Sequence, residues 1–174
     1  MRLRGSCQCG KVGFSVESET PYPFMYCYCS ICRKTCGVAF GCNVMGRRET
    51  LRVTGRRHLR MYHAKMRAPK KRTTVSPGER WFCGACGTHL YVLDKNWPDG
   101  VWPNAGAIDT PLPTPPQRVH LMTRYKPSWV EISDDGPRFP EYPELSIAEW
   151  HEQHGLTQKS RARKTAREKR AATK

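Results

Sequence analysis

Residues 81–90 read Trp81-Phe82-Cys83-Gly84-Ala85-Cys86-Gly87-Thr88-His89-Leu90. Two cysteines three apart on a tight turn can direct both sulfurs at one tetrahedral ion, about 2.3 Å away. The glycines at 84 and 87 carry no Cβ and admit the backbone conformations that such a turn needs. A four-cysteine zinc site requires a second pair, and Cys7-Gln8-Cys9 supplies the natural candidate. Residues i and i+2 of an extended segment point to the same face, so Cys7 and Cys9 can reach one ion together. That pairing would close the two ends of the main sheet. Zinc would then contribute folding energy directly, on the order of 10 kcal/mol in small metal-dependent peptides, and less where a core already exists.

A third group, Cys27-Tyr28-Cys29-Ser30-Ile31-Cys32, offers three thiols. Three protein ligands leave one coordination position for water or substrate, which is the pattern of catalytic zinc. A complete structural site with Cys36, Cys42 or a histidine as fourth ligand is an equal alternative on spacing alone. A disulfide network is disfavoured by the compartment. The start, Met1-Arg-Leu-Arg-Gly-Ser-Cys7, has no apolar stretch behind its positive charges and does not read as a secretory signal. No segment approaches the ~18 apolar residues that span a bilayer. The expected location is cytoplasmic, or nuclear in a host with a nucleus, where thiols stay reduced and serve metals or catalysis.

Working outward, the body reads as short strands between turn residues, a mainly β fold. Val12, Phe14 and Val16 alternate with Gly13 and Ser15, the period of a half-buried strand. Further apolar runs are Val38 to Val44, Leu51 with Val53, Leu59 with Met61, Trp81-Phe82, His89 to Leu93, Ala105 to Ile108 and Val119 to Thr123. Prolines crowd Pro98 to Pro116 and predict a long surface loop. Ser146-Ile147-Ala148-Glu149 predicts a capping box opening a short C-terminal helix, Ile147 to His154, stopped by Gly155. With 174 residues the chain suits one domain, expected over residues 1–156. Residues 157–174 hold eight basic residues and one acid and no recurring apolar position, so they predict a disordered or transiently helical basic tail.

The whole order resembles the CENP-V/GFA family, which includes glutathione-dependent formaldehyde-activating enzymes and centromere protein V. It is carried by Gly-Ser-Cys-Gln-Cys-Gly at 5–10, Cys-Tyr-Cys-Ser-Ile-Cys-Arg-Lys at 27–34 and Trp-Phe-Cys-Gly-Ala-Cys-Gly-Thr-His-Leu at 81–90. Pro-Ser-Trp-Val-Glu-Ile at 127–132 and Phe139-Pro140 extend it over roughly residues 4–143. The resemblance implies a β-tent (Mss4-like) fold with two zinc ions per chain. One is structural, on the residues matching Cys7, Cys9, Cys83 and Cys86; the other is open, on those matching Cys27, Cys29 and Cys32. Cys36 departs from the family pattern. It can fill the open position, act as a redox partner or be an inert buried thiol, the last being favoured.

The activity that the resemblance implies is carbon–sulfur lyase chemistry, with glutathione as co-substrate and S-(hydroxymethyl)glutathione formed from formaldehyde as the type reaction. Zinc can deprotonate a coordinated thiol and polarise a carbonyl; three thiolates weaken its Lewis acidity, so holding and orienting the thiol is the expected role. Arg33 and Lys34 can pair with glutathione carboxylates, or simply balance the thiolates or face solvent. His89 is a candidate proton carrier near neutral pH, and Tyr28 either shapes a pocket wall or packs outward. The competing class is a zinc-stabilised binding module. Arg47 to Arg72 holds eleven Lys/Arg against one acid, Glu49, and the tail adds more. Clustered cations of this kind gain affinity for nucleic acid by counterion release, giving weak, salt-sensitive binding to nucleic acid or another acidic partner.

Overall fold

Alternation of apolar and polar positions produces eleven strands among the residues that the computed structural model describes, 1–37, 39–66 and 72–157. They are β1 Arg2–Ser6, β2 Gly13–Glu17, β3 Phe24–Cys27, β4 Gly41–Asn43, β5 Gly46–Arg47, β6 Arg52–Thr54, β7 Leu59–Met66, β8 Thr74–Cys83, β9 His89–Asp94, β10 Gly100–Pro103 and β11 Arg118–Leu121. Two helices join them, α1 Ser30–Cys36 and α2 Ile147–Gln153. The strands form three sheets, ordered β1-β2-β6, β5-β10-β9-β8-β7 and β11-β3-β4. The chain is thus mainly β with a short C-terminal helix. Residues 158–174 of the tail expected over 157–174, residues 67–71 of the basic stretch and Val38, the start of one expected apolar run, lie outside the described residues.

The core lies between the first two sheets. Leu3, Phe14 and Val16 meet Leu90, Tyr91, Leu93 and Val101 there, and Phe14 packs edge-on to Tyr91 with ring centroids 5.9 Å apart. The central sheet is covered on its other face too. Along β8 and β9, Trp81, Cys83, Tyr91 and Leu93 serve the core, whereas the alternate residues Ser76, Arg80, Val92 and Asp94 line a cavity. Period-2 geometry therefore places Ser76, Arg80 and Asp94 on one shared face.

Four sequence expectations change. Cys7 to Gly10 is a turn, closed by the Gly10 amide donating to the Cys7 carbonyl at 2.9 Å, and not an extended segment. β1 also belongs to a different sheet from β8, so the cysteines link two sheets instead of closing one. The proline-rich region contains a buried strand: β10 runs between β5 and β9 with Val101 fully buried, and Pro103 sits at its end, where a missing N–H is tolerated. Ala105–Ala107 is a single 3-10 turn, because three small residues allow the chain to curl and bury Ala107. α1 was not expected at all. The capping box of α2 forms as read, with Glu149 N–H donating to Ser146 Oγ at 3.2 Å and Ser146 N–H to Glu149 Oε2 at 2.7 Å.

Leu90 is fully buried at the heart of this core. Leu90→Ala should lower the unfolding free energy by about 3 kcal/mol, measured by urea denaturation; a loss under about 1 kcal/mol would contradict the core assignment.

Candidate metal centres

The first cysteine group is built from two turns that face each other. Cys7 ends the run from β1, its N–H donating to the Val12 carbonyl at 2.9 Å while Val12 N–H donates to Cys7 Sγ at 3.2 Å. On the other side, Gly87 N–H donates to the Cys83 carbonyl at 2.8 Å. Gly87 has φ +76° and needs glycine's freedom. Gly84 does not; its constraint is space, since a Cβ there would come within 2.7 Å of the Arg60 side chain. Gln8 N–H donates to Thr88 Oγ1 at 3.2 Å and ties the turns together.

The four sulfurs of Cys7, Cys9, Cys83 and Cys86 lie within 4.8 Å of one another. Cys7 to Cys9 is 3.6 Å and Cys9 to Cys83 is 3.8 Å. A tetrahedral ion with sulfur bonds of about 2.3 Å has edges of roughly 3.8 Å, so these separations fit a metal. Cys7 and Cys83 are buried while Cys9 and Cys86 are exposed. Hydrogen bonds from the Thr88 side chain and backbone hold the Cys86 thiol down at about 5, ready to act as a thiolate ligand.

The second group forms where β3 ends and α1 begins. Cys27 is the last residue of β3, Cys29 is the N-cap of α1, and Cys32 lies in the helix, its N–H directed at Cys29 Sγ at 3.4 Å. Their sulfurs also lie within 4.8 Å of one another. Hydrogen bonds from Cys27 and then Cys32 drive the Cys29 thiol down to about 2, and the same bond to Cys29 pushes Cys27 up. Both groups can therefore hold a metal ion. Cys36, Cys42 and His89 stand outside the three-sulfur group. Burial pushes Cys42 up to about 12 and Cys36 upward.

A hydrogen-bonded chain invisible in the sequence fixes the segment between Cys27 and Cys29. Tyr28, 1% exposed, donates its hydroxyl to His120 Nδ1 at 2.8 Å, and His120 Nε2 donates to Asp134 Oδ1 at 2.8 Å. Tyr28 thus packs inward and is absent from the cavity wall. Its partner comes from β11, which runs parallel to β3 with His120 opposite Tyr26. Only the β-pattern around Val119 hinted at that strand, and nothing in the sequence indicated its partner.

Arg33 Nε donates to the Tyr28 carbonyl at 3.1 Å, and Arg33 and Lys34 lie in the last turn of α1, where cations favour the helix dipole. Neither lines the cavity. His89 is buried, with Nδ1 3.4 Å from Cys36 Sγ and no partner for Nε2. Burial, and then Arg80, depress it to about 4, so at neutral pH its ring is the uncharged imidazole. In the basic stretch, Arg52 and Arg60 turn their guanidinium groups to backbone carbonyls, and Arg57 to His58.

The cavity on the outer face of the central sheet has a volume of about 550 Å³. Cys27 and Cys32 form part of its wall, together with Arg80, Asp94, Trp97 and Trp102. Trp97 stands edge-on to Trp102 at 5.9 Å and tilts against Tyr142 at 6.1 Å.

Fold and sites together define a mainly β protein with two cysteine clusters suited to metal, one of them open to a cavity. The family described as glutathione-dependent formaldehyde-activating enzyme (GFA) matches residues 2–124. A Halomonas elongata protein, provisionally named a glutathione-dependent formaldehyde-activating enzyme, is 50% identical over 159 residues, covering 90% of this chain and 98% of that protein. A crystal structure of a Rhodobacter sphaeroides protein superposes with TM-score 0.48 at 25% identity, over 63% of this chain and 91% of the other. This chain belongs to the GFA family. Among the described residues no helix is long and apolar enough to cross a membrane.

His89 has a sign-definite effect on stability. Its folded value, about 4, lies below the ordinary 6.5, so the unfolded chain binds the proton more tightly. Its contribution is complete above pH 6.5 and is lost as pH falls toward 4, amounting to about 2 kcal/mol by pH 5. The loss in stability between pH 7 and 5, followed by chemical denaturation, should be smaller by that amount in His89→Asn; equal pH slopes would show that His89 is not buried in its neutral form.

Proposed function

We propose that this protein is a zinc-dependent carbon–sulfur lyase-type enzyme that forms or breaks the bond between glutathione and an aldehyde, with formaldehyde as the reference partner. The observation that carries the reading is the difference between the two clusters. Cys7, Cys9, Cys83 and Cys86 make a complete set of four donors between two turns. Cys27 and Cys32, by contrast, belong to a set of three and face a cavity large enough for a small peptide. Closed and open thiolate sets are respectively structural and catalytic in character. Family membership, and the name borne by the Halomonas relative, direct the chemistry to a thiol and an aldehyde.

The thiolate-rich donor sets fit zinc, a borderline-soft ion. When bound by Cys27, Cys29 and Cys32, zinc supplies a cationic position that favours the deprotonated form of a nearby thiol. The chain itself does the rest. Tyr28, locked to His120, keeps Cys27 and Cys29 at fixed separation. The cavity gathers thiol and aldehyde in one place and removes translational freedom from the reaction. The thiol sulfur attacks the carbonyl carbon, a C–S bond forms, and the C=O electron pair moves to oxygen, which takes the proton released by sulfur. The reverse path cleaves the adduct with the same atoms. Residues 1–156 carry this activity in our reading, in a β-tent fold.

Elemental mass spectrometry on the purified chain should find two zinc ions per molecule, falling to one in Cys29→Ser with a melting temperature within about 5 °C of wild type. Adduct formation from formaldehyde and glutathione, followed by NMR, should drop at least about 100-fold in that variant. Cys83→Ser should instead unfold most of the chain, because it removes a donor from the structural set. A wild-type rate no greater than the uncatalysed one would sink the enzyme reading.

A further inference from the structure

We infer that Arg80 is a specificity-determining residue that anchors a carboxylate of the thiol substrate, so that the cavity selects thiols bearing an acid group. The inference deepens the thiol–aldehyde reading above and rests on it.

Arg80 lies in the middle of β8, paired with Tyr62 on one side and Val92 on the other, and is 8% exposed. A guanidinium offers five N–H donors and stays charged at any relevant pH. Here Nη1 donates to the Gly78 carbonyl of its own strand at 3.3 Å, while Nε is buried with no partner. Among the described residues no carboxylate pairs with it within 4.0 Å, although Asp94 lies on the same wall. A buried cation left so incompletely satisfied is costly, and strand alternation aims it into the cavity. An anion entering from outside completes its hydrogen bonding.

The neighbourhood says which anion. Arg80 shares the cavity wall with Cys27 and Cys32. A ligand whose sulfur lies at the cysteine cluster and whose carboxylate reaches Arg80 must carry both groups on one molecule small enough for this cavity. The glycyl carboxylate of glutathione meets that requirement, and the fork of an arginine suits a carboxylate better than a lysine does. Arg33 and Lys34, the cations that follow the last cysteine in sequence, do not line this cavity.

The experiment compares wild type, Arg80→Gln and Arg80→Lys, each checked for zinc content and melting temperature. S-methylglutathione, which has the carboxylates but no free thiol, is the calorimetric probe. Its Kd should weaken about 10- to 100-fold in Arg80→Gln, with partial recovery in Arg80→Lys. For glutathione with formaldehyde, KM should rise by a similar factor while kcat changes less than about threefold. With 2-mercaptoethanol, which has no carboxylate, kcat/KM should change less than about twofold. On wild type alone, masking the glycyl carboxylate as its ethyl ester should raise KM as the mutation does, which needs no variant to fold. Unchanged Kd and KM in Arg80→Gln, or equal losses for glutathione and 2-mercaptoethanol, would overturn the inference and leave Arg80 a charge-balancing residue. If wild type turns over neither thiol yet binds S-methylglutathione in an Arg80-dependent way, the enzyme reading fails and the carboxylate anchor stands.

Discussion

Four sulfur atoms gathered within 4.8 Å join the turn after β1 to the turn between β8 and β9. These turns belong to sheets that share no ladder of hydrogen bonds, so their relative position depends on this junction and on the apolar contacts behind it. Cys7 and Cys83 are themselves members of the buried core, which makes junction and core one unit. The junction also fixes the end of β8, and with it the depth at which Arg80, three residues earlier, meets the cavity. Four-cysteine cluster and cavity face are thus mechanically coupled through one strand.

That strand shows how polar groups come to lie deep in a small β protein. β8 is covered on both faces, by core on one side and by the cavity wall on the other. A strand buried on both faces is usually apolar throughout. Ser76, Gly78 and Arg80 break that rule on a single face, while Trp81 and Cys83 at the end of the strand serve the core. Consistency fails locally at the cavity wall, and functional sites are where such failures are expected.

Much of this architecture is legible in the sequence. The spacing at Cys83 and Cys86, the glycine at 87 and the alternation around Val12 to Val16 lead directly to a metal-linked β fold. The helix cap at Ser146 and Glu149 is equally local, and it forms as read. What escaped reading was non-local or atypical. β10 hides among prolines because its Pro103 sits where no amide is needed. α1 spans only seven residues and buries none of them fully, so it leaves no amphipathic period. Arg80 looked like one cation among thirty, since nothing in a single sequence reveals which arginine lacks partners. The Tyr28–His120 bond joins residues 92 positions apart, beyond any motif.

That separation bears on the order in which the molecule matures. The two halves of the Cys83–Cys86 turn are adjacent in sequence, and β7, β8 and β9 pair with their immediate neighbours, so this part closes small loops. The segment holding Cys27 and Cys29 takes its final form only when β11 arrives beside β3, after a much larger loop has closed. Longer loops cost more chain entropy, and non-local pairings slow folding. The packing around the three-cysteine cluster is therefore completed late, against a central sheet already formed, and a nascent chain can supply it only once residues near 120 have left the ribosome.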